Sequence, residues 1–127
     1  MPPRPVILDT NFLLIPFQFK INILSELDYL IDFSHSYTIS SRTITELKKI
    51  AKAIGKDGMA ARLALKLVEA NKFDIVESRE YVDDWIVHYA KKNRAVVCTN
   101  DSKLRRRLKH MDIKTVTMKS KSKLGFV

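Results

Sequence analysis

Disulfide chemistry is closed to this chain, because it holds a single cysteine, Cys98, with no internal partner. A lone thiol leads us to expect a reducing, cytoplasmic setting. Glycine and proline are scarce, with three and four residues, which speaks against a disordered or low-complexity chain. No internal repeat and no linker is visible. No apolar run approaches the roughly 18 residues that a membrane-spanning helix needs. Asp9 interrupts the apolar stretch behind MPPRP at once, so no signal peptide is expected. The patterns GxGxxG, GxxxxGKS/T and HExxH are missing, which argues against dinucleotide, P-loop and zinc-protease functions. His35, His88 and His110 are scattered without ligand spacing.

Negative charge is the minority: 14 Asp and Glu stand against 23 Lys and Arg, a formal net charge of +9. The excess is concentrated, since Ser102 to Val127 holds nine basic residues and one acid, Asp112. A basic face of this kind attracts phosphate backbones without regard to sequence. The expected contacts are Lys103, Arg105, Arg106, Arg107 and Lys109, with a plain solubilising surface as the alternative. Leu104, Leu108 and Met111 read as a core stripe, not as a membrane-inserting face, so no membrane partner is expected. A length of 127 residues and an apolar fraction of 46% suit one compact domain over residues 1–127, with a basic tail over about 119–127.

Short apolar runs alternate with helical periodicity along the whole chain. The strand candidates are 4–8, 37–40, 73–76, 95–98 and 113–118. Between them, helices are expected over 9–16, stopped by Pro16, and over 21–33, 43–54, 57–71, 81–92 and 102–109. Such alternation predicts an α/β fold, a three-layer α/β/α sandwich around a central, mostly parallel five-stranded sheet. Ala95–Cys98 lacks polar alternation and should be buried on both faces. The last strand alternates and suits a sheet edge.

Of four acids, Asp9, Asp84 and Asp101 fall where strand-like runs give way to helices, and Glu46 sits just inside the helix that follows such a run. Ligands of open α/β sheets gather outside the carboxyl ends of the strands, and oxygen ligands there suit hard cations. Each acid also has a plainer role. Asp9 and Asp101 could cap the helices that follow them, and Asp83 and Asp84 could sit at a helix start where the macrodipole favours negative charge. Thr43-Ile44-Thr45-Glu46 matches a capping box. Periodicity alone does not separate caps from ligands.

The motifs VILDTN, TISSRTITEL, YVDDWIVHYA and VVCTNDSKLRRRL, taken together, resemble those of the PIN-domain nucleases over nearly the whole chain. The resemblance implies a metal-dependent endoribonuclease using Mg²⁺ or Mn²⁺. Its catalytic acids would be Asp9, Glu46, Asp84 and Asp101. Asp9 and Asp101 would be inner ligands, Asp84 would complete the set, and Glu46 would ligate directly or through water. Asp83 competes with Asp84 as a ligand, a cap or a supporting group. Thr10, Asn11, Thr99 and Asn100 would orient carboxylates or water. The Asp-Asp-Trp-Ile segment and the basic KLRRRL helix are more similar to the rRNA-processing branch and its archaeal relatives than to a VapC-type toxin. RNA is the partner implied, with a homodimer common among such proteins and an antitoxin protein expected only under the toxin reading. A catalytically silent RNA-binding assembly factor is the alternative from another class. A haloacid-type phosphatase would need a second Asp where Asn11 stands.

Overall fold

Val6, Ile7 and Leu8 close strand β1 (Arg4–Leu8), and all three are buried. Alternation sends Val6 and Leu8 into one hydrophobic cluster and Ile7 into another. The strand is therefore covered on both faces, which is what an unbroken apolar run needs. The computed structural model describes residues 2–127. After β1 come α1 (Thr10–Phe19), α2 (Ile23–Leu30), β2 (His35–Ser40), α3 (Ser41–Ala51), α4 (Lys56–Ala70) and β3 (Asp74–Val76). The second half holds α5 (Val82–Asn93), β4 (Val96–Cys98), α6 (Ser102–His110), β5 (Thr115–Ser120) and β6 (Lys123–Phe126).

The sheet runs β3-β2-β1-β4-β5-β6. All neighbouring pairs are parallel except β5–β6. Helices α1 to α4 pack with Val6, Leu8, Val96 and Cys98, whereas α5 and α6 pack with Ile7 and Val97. The layers are those expected from the alternation of elements. Leu104 and Leu108 hold α6 to the sheet and are fully buried; each such side chain contributes about 1.5–3 kcal/mol.

Two expectations need correction. The sheet has six strands, not five, and the run expected to be a basic tail carries β6. Lys119, Lys121 and Lys123 stay exposed, while Leu124 enters the core and pairs in register with Met118. β5 is thus an interior strand, covered by β6 on its outer side. The second concerns α1, which continues past Pro16 to Phe19. Proline removes one backbone donor from a helix interior, but Phe12, Leu13, Leu14 and Ile15 are buried and Phe17 packs beside them, so tertiary burial carries the helix through.

The order of the strands matters for function. From β1 the chain proceeds to β2 on one side and later returns to β4 on the other. A crevice opens outside the carboxyl ends of β1 and β4, where such folds bind ligands.

Candidate active site

Asp9 is the first residue beyond β1 and is only 7% exposed. It stands at the N-cap of α1, yet its side chain makes no capping bond. The carboxylate turns instead towards β4, where its Oδ2 accepts from the Thr99 hydroxyl at 2.9 Å. That hydroxyl itself accepts from the Asp101 N–H at 3.0 Å, which commits its proton to Asp9. The parallel register of Leu8 with Cys98 makes the bridge possible, and the Asp9 N–H extends it by donating to the Cys98 carbonyl at 3.0 Å. Burial pushes the Asp9 carboxyl up to about 6. The Thr99 bond opposes the rise, while the charges of Asp83 and Asp101 add to it.

Glu46 comes from α3. The cap of that helix is Ser40, whose Oγ accepts from the Arg42 N–H at 3.0 Å. The capping box expected at Thr43 does not form: Thr43 is buried inside the helix, and Glu46 accepts from the Thr10 hydroxyl. Thr10 is buried between α1 and α3, its hydroxyl 3.5 Å from that of Thr43. Glu46 is therefore positioned from α1 rather than engaged by its own helix.

Asp101 does cap α6, with Oδ1 accepting from the Leu104 N–H at 2.9 Å. It nevertheless stands on the wall of the same pocket as Asp9, Thr10, Asn11, Glu46, Lys49 and Asp83, a volume of about 430 Å³. Asp84 is not on that wall. It forms an ion pair with Arg107 at 2.9 Å, tying α5 to α6. One helical step of about 100° between neighbours turns Asp83 to the pocket and Asp84 to the flank. Partial burial and then the charge of Asp101 raise the Asp83 carboxyl above its usual value, Arg107 opposing.

The supporting residues divide in the same manner. Thr10, Asn11 and Thr99 face or brace the carboxylates. Asn100 does not: its Oδ1 accepts from the Thr117 hydroxyl and the Met118 N–H, both at 2.8 Å, anchoring the loop after β4 to β5. Lys49, three residues after Glu46 and on the same helix face, is a pocket residue that motif reading passed over. Its spacing was the available signal. Among the expected RNA contacts, Arg107 is engaged with Asp84, while Lys103, Arg106 and Lys109 are exposed and form no ion pair among the described residues.

No three Asp, Glu, His or Cys side chains among the described residues meet closely enough to hold one ion together. The donor chemistry fits a hard divalent cation even so. Four carboxylates line one pocket: burial first, and then the charges of Asp83 and Asp101, raise the proton affinity of Asp9, and burial and then Asp101 raise that of Asp83, with Lys49 on the wall and Arg107 nearby as the opposing charges among the described residues. A cation in the pocket, reached by Asp9, Asp83, Asp101 and Glu46 in part through water, would relieve that repulsion.

The family described as PIN like domain matches residues 6–121. Ribonuclease VapC4 of Methanocaldococcus jannaschii is 31% identical over 120 residues, 91% of each chain. Ribonuclease VapC9 of Archaeoglobus fulgidus is 32% identical over 112 residues, covering 87% of this chain and 79% of the relative. Among solved structures, the PIN domain endonuclease Utp24 superposes with a TM-score of 0.81 at 27% identity, over 99% of this chain and 92% of that one. A domain of a functionally unknown protein from M. jannaschii shares the fold, with a TM-score of 0.64 at 17% identity and 92% of each chain covered. With a buried aspartate braced across two parallel strands and a family match over most of its length, the chain belongs to the PIN-domain nuclease family.

Proposed function

We propose that this protein is a divalent-metal-dependent endoribonuclease whose site is formed by Asp9, Asp83, Asp101 and Glu46. One observation carries the reading: Asp9 is buried at the carboxyl end of β1, its side chain free of any capping role, facing a pocket lined by the other three acids. The likeness to two named ribonucleases and an endonuclease supports RNA as substrate.

A phosphodiester resists hydrolysis because its oxygens are anionic and its leaving alkoxide is poor. A bound Mg²⁺ or Mn²⁺ would supply charge neutralisation and a water of lowered pKa. The chain's own residues do the rest. Thr99 orients Asp9 by a bond that favours the charged carboxylate. The Thr10 hydroxyl holds Glu46 at the rim, where its longer side chain can accept a proton from a water. Lys49 offers a cation to the scissile phosphate from the same wall. Asp84 and Arg107 position α5 so that Asp83 faces inward. The basic surface of α6, through Lys103, Arg106 and Lys109, supplies sequence-independent affinity. The buried Cys98 thiol suits a reducing cytoplasm.

The biological role we favour is RNA processing, on the Asp-Asp-Trp-Ile and KLRRRL segments. A toxin-type ribonuclease held by an antitoxin is the second reading, favoured by the two VapC relatives. Growth arrest on expression of the wild type but not of Asp9→Asn would favour it. The enzymatic test uses purified chain and end-labelled RNA. Chelator should abolish cleavage and Mn²⁺ or Mg²⁺ restore it. Asp9→Asn and Asp83→Asn should each lose at least about a hundredfold. Asp84→Asn should lose far less, because a half-exposed ion pair is worth only about 0–1 kcal/mol. Wild-type cleavage by Asp9→Asn would overturn the mechanism, and a greater loss at Asp84 than at Asp83 would reverse their roles.

A further inference from the structure

A second cleft, of about 800 Å³, lies between α6 and the β5–β6 hairpin. Its α6 wall is formed by Ser102, Arg105, Arg106 and Lys109, which recur at helical spacing on one flank. The opposite wall brings Lys114 from the start of β5 and Phe126 from β6. Ser102 follows Asp101 directly, so the cleft begins beside the carboxylate pocket and runs down the helix. From Ser102 to Lys109 it extends about 10 Å at the helical rise.

Three features mark this cleft as more than a solvated surface. The four cations form no ion pair among the described residues, and Asp112 is the one acid lining the cleft. The Nε of Arg105 is buried without a hydrogen-bond partner, although a buried donor ordinarily finds an acceptor. The Lys114 ammonium stands 5.7 Å from the centroid of the ring of Phe126, a residue that is 37% exposed. Cations free of acidic partners along a groove, with a partly exposed aromatic ring beside them, are the two components by which proteins hold single-stranded nucleic acid.

We propose that this cleft is a subsite for the single-stranded RNA flanking the cleaved bond. Arg105 and Lys114 take backbone phosphates and Phe126 takes the face of one base. The assignment rests on the ribonuclease reading, and it adds a direction to it. The flanking strand leaves the carboxylate pocket past Ser102 and follows α6 towards the amino-terminal end of β5. Lys103 and Arg107, on the other side of α6, lie off this path. Strand choice then depends on an unpaired segment at least as long as the cleft, so a duplex that cannot open there is a poor substrate.

Binding tests this independently of cleavage. The probes are a short fluorescent oligouridine and an abasic ribose-phosphate oligomer of the same length, titrated in chelator against the full chain. Phe126→Ala should weaken oligouridine binding about tenfold, the lower part of the range for one stacked base, and leave the abasic oligomer unaffected. Phe126→Tyr should restore it, which separates stacking from loss of fold. Arg105→Gln and Lys114→Gln should each weaken both probes and lower the salt slope by about 0.7. Lys66→Gln, exposed on α4 across the sheet from α6, should change binding less than either. If Phe126→Ala leaves oligouridine affinity unchanged, or weakens both probes equally, no base sits on the ring and the subsite is overturned. If the wild type binds oligouridine normally but cleaves no RNA with any metal, the catalytic reading fails while the cleft stands.

Discussion

Replacing Asp9 by asparagine should stabilise the metal-free protein, and the gain should depend on pH in one direction only. The folded-state carboxyl of Asp9 titrates at about 6, against 3.8 in an unfolded chain. The folded protein therefore binds more protons than the unfolded one between those values, and its stability falls as pH rises through that window. The difference of about two units corresponds to roughly 3 kcal/mol once pH exceeds 7. Asparagine mimics the protonated side chain, keeps an oxygen for the Thr99 hydroxyl and carries no charge for Asp83 and Asp101 to repel. In chelator, urea unfolding should show the Asp9→Asn protein equal to wild type near pH 4. By pH 8 it should be more stable by about 2–3 kcal/mol, or roughly 10 °C in melting temperature. Mn²⁺ should then reverse the order by stabilising only the wild type, as a ligand that binds the native state does. A substitution without effect at pH 8, or one that stabilises equally at pH 4, would refute the picture of a buried carboxylate under repulsion.

Thr99→Val removes the donor that favours charged Asp9, so the Asp9 carboxyl should titrate still higher; the pH midpoint of metal-dependent cleavage should move upward, and an unchanged profile would show that the hydroxyl does not tune Asp9. Leu124→Ala should cost about 2–4 kcal/mol in urea unfolding, as for a core leucine; a neutral result would mean that residues 119–127 behave as the solvated tail their charge suggests.

Layer order, the parallel sheet and three of the four pocket acids were legible from linear pattern. Apolar runs of strand length alternating with helical periodicity demand two covered faces. An acid directly after such a run stands at a strand's carboxyl end whatever the packing. Asp9 is therefore a local fact; Asp101, three residues beyond β4 at the cap of α6, and Glu46, about one turn into α3, are nearly so.

Other questions needed the third dimension. Asp83 and Asp84 are neighbours with the same chemistry, and only the rotation of α5 against α6, held by the Arg107 pair, says which one enters the pocket. Whether Glu46 caps its own helix depended on Thr10, which lies 36 residues away. Asn100 reads as a site residue beside Asp101, but its acceptor is claimed by β5. The last strand hid beneath its lysines because charge is counted along the chain, whereas burial is decided across it: Leu124 enters the core while its basic neighbours remain in water. Short-range pattern dictates what each segment can become, and long-range contacts select among side chains that the pattern leaves equivalent.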